Sequence, residues 1–302
     1  MTDTREREEC QSFTLNKERI ATQCVCCGSQ NLKSSPAVLM PFVAHRTFDW
    51  APVVIDESWG LATIKPGNTY SICKSLYCND CYFLFLDIRF SDTELSNLYT
   101  DYRGIEYTSL RESYEPGYTK RNDNLNAGIG YIEDIEKFLQ PYLSFPITIL
   151  DWGGDTGKNT PFKNNNEAFD IYDISNKDVL AGARIVSKKE AQSNKYKLIV
   201  CSNVLEHVPY PSDLLTDITK SMNNESVLYI EVPLENVVLN NNGDLHTHKK
   251  HWHEHINFYS EKSLRLLAQN VGLEVIDLKR LQATAGGQSG YLFQVACRLK
   301  SN

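Results

Sequence analysis

The stretch Ile147-Thr148-Ile149-Leu150-Asp151-Trp152-Gly153-Gly154-Asp155-Thr156-Gly157 constrains this chain more than any other. An apolar run rich in β-branched residues follows Pro146, reaches Asp151 and passes into a turn with three glycines in five residues. Such a run predicts a buried strand that delivers a ligand-binding loop. Glycine there lets the backbone approach a bound molecule and take dihedrals that a Cβ forbids. The spacing Gly153-x-Asp155-x-Gly157 is not the dinucleotide fingerprint Gly-x-Gly-x-x-Gly, and no Gly-Lys-Ser/Thr comes after it to make it a P-loop.

The succession of segments downstream of this loop fixes the fold class. After a loop and a short helix, Ala168 to Asp173 reads as a second strand ending in an acid about twenty residues downstream, where a carboxylate can meet ribose hydroxyls. Lys197 to Ser202 is another buried strand, running into Asn203-Val204-Leu205-Glu206-His207-Val208. Ser226 to Val232 adds a strand, Glu261 to Asn270 a helix opened by Ser260, and Leu273 to Lys279 with Gly290 to Arg298 a terminal hairpin. This alternation predicts an α/β, doubly wound, Rossmann-like sheet with an antiparallel end.

At 302 residues the chain has room for one large domain and a small one. No apolar run approaches the ~20 residues of a membrane span, and Met1 to Glu9 lacks the apolar core of a signal peptide, so the expected location is cytoplasmic and away from membranes. A net charge of −7 argues against nucleic acid as partner, because phosphate binding relies on basic residues.

Nine cysteines without a signal peptide favour metal over disulfides. Cys24-x-x-Cys27 and Cys78-x-x-Cys81 are two knuckles of the kind that hold a structural Zn2+ through four thiolates; Cys26 and Cys73 are spares. The turn-rich segment between them, with Pro36, Pro41, Pro52 and Pro66-Gly67, predicts a small β-rich domain stapled by metal. From Cys24 to Leu98 there are five Lys/Arg against seven Asp/Glu, the reverse of a nucleic-acid surface.

Ser91 to Tyr99 reads as a helix with a capping box, Ser-Asp-Thr-Glu. Next comes a tyrosine-rich linker, with Tyr99, Tyr102, Tyr107, Tyr114 and Tyr118. Tyrosines at a domain junction can wall a ligand cleft, and equally can pack it. Tyr131 to Leu143 predicts an amphipathic helix.

The segment His246 to Phe258 holds five of the seven histidines within ten residues. It leaves a sheet strand at the edge where α/β ligands bind. Three readings stand: a general base with substrate contacts, suited to imidazole near neutral pH; a second metal site; or histidines that line a loop. The candidate catalytic residues are His207, His253, Glu254 and His255.

The cysteine knuckles, the tyrosine stretch, the glycine loop at Asp151, Asn203-Val-Leu-Glu-His207-Val and His253-Glu254-His255-Ile-Asn-Phe together resemble bacterial class I S-adenosylmethionine (SAM)-dependent methyltransferases with an N-terminal zinc-binding domain, typified by nucleotide-sugar C-methyltransferases. The resemblance implies Glu254, His255 and His207 at the reaction centre. Trp252 stands where the family carries a tyrosine, and an indole cannot accept a proton. It also implies SAM held by Asp151, Gly153, Gly154 and Gly157, by Asp173 at the ribose, and by Cys201, Ser202, Asn203 and Leu205 near the adenine or the methyl group. Tyr102, Tyr107, Trp252 and Asn257 are the expected substrate contacts, the substrate being a sugar or nucleotide-sugar methylated on carbon or oxygen. The alternative readings are an O-methyltransferase acting on another small molecule, and a protein that binds SAM or a nucleotide-sugar without turnover. The expected divisions are a tail (1–22), the zinc domain (23–98), linker and helix (99–145) and the SAM domain (146–302).

Overall fold

The computed structural model describes residues 17–50, 73–165, 168–175, 177–240, 244–285 and 288–301. Pro52, Pro66, Gly67 and the first sixteen residues of the expected tail lie outside them. In the smaller sheet, β1 (Leu32–Leu39), β2 (Cys73–Cys78) and β3 (Leu84–Leu86) run antiparallel. Beside β1 lies α1 (Pro41–Phe48), opened by its proline. The backbone of Arg19 and Ala21 pairs with residues 87 to 89, so this end of the expected tail is an extended edge.

The larger sheet forms around β4 (Ile149–Trp152), as the apolar run predicts. From β4 the chain winds to parallel β5 (Phe169–Tyr172) and β6 (Ala183–Ile185), then returns to the other flank as β7 (Leu198–Ser202) and β8 (Val227–Leu234). The hairpin β11 (Leu273–Ala285) and β12 (Gln288–Leu299) closes the sheet, with β12 antiparallel to β8. The order is β11-β12-β8-β7-β4-β5-β6. The winding reverses between β4 and β7, which opens a crevice at their carboxyl ends.

Both faces of this sheet are covered, and this explains the unbroken apolar runs. Leu150, Ile199 and Leu228 point one way, under α7 (Pro211–Thr219) and α10 (Glu261–Asn270); Ile149, Leu198 and Val227 point the other, under α5 (Ile132–Leu139). A short α6 (Lys188–Ser193) sits before β7 with its own capping box, Ser187 and Glu190. Ser260 caps α10 as expected.

Three local expectations need correction. The short helix expected before β5 is a single 3-10 turn, Lys163–Asn165, since Pro161 and neighbouring asparagines disfavour a helix. The helix expected to Leu143 stops at Leu139, where Pro141 tightens the chain into a 3-10 turn. The tyrosine linker is largely helical: after α2 (Asp92–Tyr99), capped by Ser91 and Glu94, come α3 (Ile105–Tyr114) and α4 (Tyr118–Asn126).

The segment after β8 returns to the smaller sheet. Past α8 (Asn236–Leu239) and α9 (Leu245–His248), β9 (His251–Trp252) pairs parallel with β1 and β10 (Asn257–Phe258) pairs antiparallel with β3. The histidine segment is therefore strung between two strands of the N-terminal sheet and held over the crevice.

Candidate active site and its relatives

The four knuckle cysteines converge. Cys24 and Cys81 Sγ are 3.6 Å apart, as are Cys27 and Cys78 Sγ, and all four lie within 4.8 Å of one another. A zinc tetrahedron with ~2.3 Å arms has edges of about 3.8 Å, so the donor set fits that ion. Each knuckle is a tight turn: the Gly28 amide donates to the Cys24 carbonyl and the Tyr82 amide to that of Cys78. Cys26 donates instead to the Ser263 carbonyl, and Ser260 Oγ to that of Cys81, which docks the knuckles on α10. Cys73 donates to the Ala37 carbonyl.

At the end of β4 the glycine loop is as tight as its composition requires. Gly153 and Gly157 have φ of 85° and 79°. A Cβ on Gly153 would lie 2.5 Å from Val204 Cγ2, and one on Gly154 2.6 Å from the Asp151 carboxyl carbon. Asp173 ties the loop down: one oxygen accepts from the Asp155 amide at 2.9 Å, the other from Ser175 N and Oγ. Asp151 is buried and accepts from Thr160 Oγ1 at 2.5 Å. Burial pushes its carboxyl up to about 7, against the pull of Thr160.

Two cavities meet here. The first is lined by Trp152, Gly153, Tyr172, Asp173, Ile174 and Val204 among others. The second is lined by Asp151, Gly154, Ser202, Glu231, Glu254 and His255, with Arg103, Arg111 and Arg121. Tyr102, Gly153, Asp155, Asn203 and His207 belong to both. Asn203 adopts φ of 54° and donates Nδ2 to Glu231 at 2.8 Å. Glu231 also accepts from Tyr131 and Tyr229, yet burial still raises its carboxyl.

His207 Nδ1 lies 2.8 Å from Tyr99 Oη and 3.1 Å from the Glu254 carbonyl. A carbonyl only accepts, so Nδ1 carries the proton and Nε2 a lone pair. Burial, then the nearby His255, holds this imidazole down at about 3. His255 Nδ1 lies 2.8 Å from Glu235 Oε1. Burial would lower His255, but the Glu235 hydrogen bond and the Glu206 charge raise it. Glu206, beside His207, is buried, and burial pushes it up to about 7.

Glu254 is spoken for. Arg111 Nη1 donates to Oε1 and Tyr107 Oη donates to Oε2 at 3.2 Å, while Arg111 Nε holds Glu115 at 3.2 Å. Burial opposes the charge, but Arg111 holds the carboxyl at about 2.

The structure thus brings Asp151, Gly153, Gly154, Ser202, Asn203, Tyr102, His207, Glu254 and His255 to the cavity walls, with Asp173 at the first cavity. Others lie behind them. Cys201 and Leu205 are fully buried in the core, and Gly157 packs on Phe169 and Ile171. Tyr107 supports Glu254, and His253 pairs with Glu115. Trp252 and Asn257, expected at the substrate, are core residues. Trp252 donates Nε1 to Ser75 Oγ at 2.7 Å, because β9 turns its ring into the smaller sheet's core. Asn257 holds the Leu205 and Val208 carbonyls and Arg89.

Sequence reading missed Arg103, Arg111, Arg121, Glu206, Glu231 and Glu235. A signal existed for two of them. Arg111 lies four residues after Tyr107, a helical spacing, and Glu231 is the lone acid in an otherwise apolar strand.

A family model described as "Methyltransferase domain" matches residues 127–278, just over half of the chain. No curated protein matches at a significant level. Among solved structures, the chain is similar to 1,6-didemethyltoxoflavin-N1-methyltransferase from Burkholderia thailandensis (13% identity, 79% of this chain and 100% of that one, TM-score 0.46). It is also similar to magnesium protoporphyrin IX methyltransferase from Synechocystis PCC 6803 (13%, 63% and 99%, 0.40) and to a SAM-dependent methyltransferase from Methanosarcina mazei (14%, 55% and 98%, 0.40). On the extent of the family match, the chain belongs to the methyltransferase-domain family, and it is an enzyme that transfers methyl groups.

Proposed function

We propose that this enzyme transfers a methyl group from SAM to a small polar acceptor, a sugar or nucleotide-sugar. The observation that carries the reading is the pair of cavities sharing a wall at Gly153, Asn203 and His207, one for donor and one for acceptor. The first offers apolar faces at Ile174 and Val204 for a base and Asp173 beside them for a ribose. At Gly153 a side chain would strike Val204, so the backbone itself borders both spaces.

SAM, when bound, supplies a methyl group already activated by positive sulfur; the chain supplies alignment, exclusion of water and a proton acceptor. His207 Nε2 carries a lone pair, His255 Nε2 gains one once its second proton leaves, and both rings line the acceptor cavity. Glu235 orients His255 and would stabilise its imidazolium, as a carboxylate does for a catalytic histidine. Glu254 holds the site through Arg111 and is a positioning residue. Arg103 Nε has no hydrogen-bond partner among the described residues, and with Arg121 it gives the acceptor cavity a cationic side suited to phosphate. The four cysteines hold zinc as a staple for the N-terminal sheet.

The test incubates the protein with SAM and a panel of sugars and nucleotide-sugars, and looks by mass spectrometry for an acceptor heavier by one methylene. Loss of product in His255→Ala, with SAM binding kept, supports the base. Unchanged turnover in both His255→Ala and His207→Ala removes it.

A further inference from the structure

We propose that Glu206, His207 and His255 form a divalent-cation site on the wall of the second cavity, distinct from the four-cysteine centre. One ligand atom from each of the three lies within 4.8 Å of the others, and all three residues line that cavity.

The hydrogen bonding around the cluster is what singles out a cation. Each histidine has its Nδ1 engaged from outside, His207 by Tyr99 and the Glu254 carbonyl and His255 by Glu235. A carbonyl and an ionised carboxylate only accept, so both Nδ1 atoms carry a proton and Nε2 is left as the ligand atom, a lone pair on neutral His207 and one that a cation would claim from His255 by displacing its second proton. Metal-binding histidines are fixed in this way, their second ring nitrogen donating to a carboxylate or carbonyl. Glu206 is 1% exposed, and among the described residues no other side chain or backbone group donates a hydrogen bond to either of its carboxylate oxygens. Glu206 and His207 thus turn acceptors toward one another with no donor between them among the described residues. A buried carboxylate left so is costly unless something positive joins it.

A proton answers the spacing poorly. Glu206 Oε1 and His207 Nε2 are 3.7 Å apart, too far for a hydrogen bond. A tetrahedron with arms of about 2.1 Å has edges near 3.4 Å, so a small inward movement seats an ion. Two imidazoles and a carboxylate suit a first-row divalent ion such as Mn2+, Fe2+, Co2+ or Zn2+, and three protein ligands leave positions open toward the cavity. There an oxygen of the acceptor would complete the shell and have its charge stabilised.

This inference rests on reading the second cavity as the acceptor site and leaves the donor side unchanged. A bound ion takes the lone pairs that a base would use, so the two roles are alternatives on one cluster, and metal binding separates them without any assay of turnover.

The experiment strips the full-length protein of metal and titrates it with Co2+. Cobalt on the cysteines gives intense sulfur charge-transfer absorption; cobalt on nitrogen and oxygen gives only weak visible bands. The expected result is two cobalt ions per chain, one of each kind. Glu206→Gln, which keeps the shape of the side chain, and His255→Ala should each lose the weakly absorbing ion and keep the sulfur bands, which also report that the variant is folded. Saturation with no cobalt beyond that on the cysteines overturns the proposal, as does retention of the second ion in both variants. If no second cobalt binds yet methyl transfer from SAM proceeds, the cation site falls while the acceptor reading stands.

Discussion

Replacing Arg111 with methionine should be among the most damaging single changes in this chain, and the size of the loss can be worked out. Arg111 and Glu254 form an ion pair with side chains only 5% and 10% exposed. Removing one partner of a buried pair costs about 3–5 kcal/mol, because the other charge stays buried. A second route gives a similar figure. Glu254 is held at about 2 in the fold against roughly 4.3 unfolded, a difference of about 3 kcal/mol at neutral pH. The guanidinium also lies 4.1 Å from the Tyr118 ring centroid, and methionine would keep part of that packing. About 4 kcal/mol is expected, roughly 6 °C in melting temperature for a chain of 302 residues. The pH dependence comes from the sign of the shift. In the natural protein the Glu254 contribution is complete above its unfolded value and is lost as pH falls toward 2. In Arg111→Met burial is no longer offset, so the Glu254 pKa rises above the ordinary range and its ionisation destabilises the fold as pH increases. The gap between the two proteins should therefore widen from about pH 4 to about pH 7. Glu254→Gln should lose less, since Arg111 keeps Glu115. Urea unfolding monitored by tryptophan fluorescence at both pH values measures this; a loss under about 1 kcal/mol, or one unchanged by pH, refutes the reasoning.

Other expectations concern the loop and the metal. Gly153→Ala places a Cβ 2.5 Å from Val204 at a φ of 85°, so the rise in melting temperature on adding SAM should vanish while the protein loses only about 1–2 kcal/mol of stability; an undiminished rise would show that the loop does not border the donor. Metal analysis should find zinc on the four cysteines and Cys78→Ser should lose it, with early melting of the N-terminal sheet by hydrogen exchange. Asp151, raised to about 7 by burial, favours the fold below its unfolded pKa of roughly 3.9 and withdraws that support as pH rises toward 7. Asp151→Asn should hence match the natural protein near pH 4 and exceed it near pH 8 by up to about 4 kcal/mol in the absence of ligand; equal stability at both pH values would show that the buried carboxyl is not strained by ionisation.

How legible the chain is depends on how local the determinant is. The strands Ile149–Trp152 and Leu198–Ser202 are apolar because both sheet faces are covered, and a run of that kind is visible without a structure. The caps at Ser91 and Ser260 are equally local. Helices α3 and α4 were hidden by their tyrosines, which favour neither helix nor loop strongly; the spacing of Tyr107, Arg111, Tyr114 and Tyr118 was the available clue. Nothing local could show that His251–Trp252 and Asn257–Phe258 would join the N-terminal sheet. That pairing buries Trp252 and Asn257 and leaves His255 at the cavity. The partners that set the histidine tautomers, the Glu254 carbonyl and Glu235, are brought in by tertiary structure alone.

A crystal structure with S-adenosylhomocysteine bound tests the central claim most directly. The account predicts the adenine between Ile174 and Val204, the ribose at Asp173, the chain passing over Gly153, and the sulfur turned toward His207 and His255. A ligand seated elsewhere, or a first cavity left empty at saturating concentration, would contradict it.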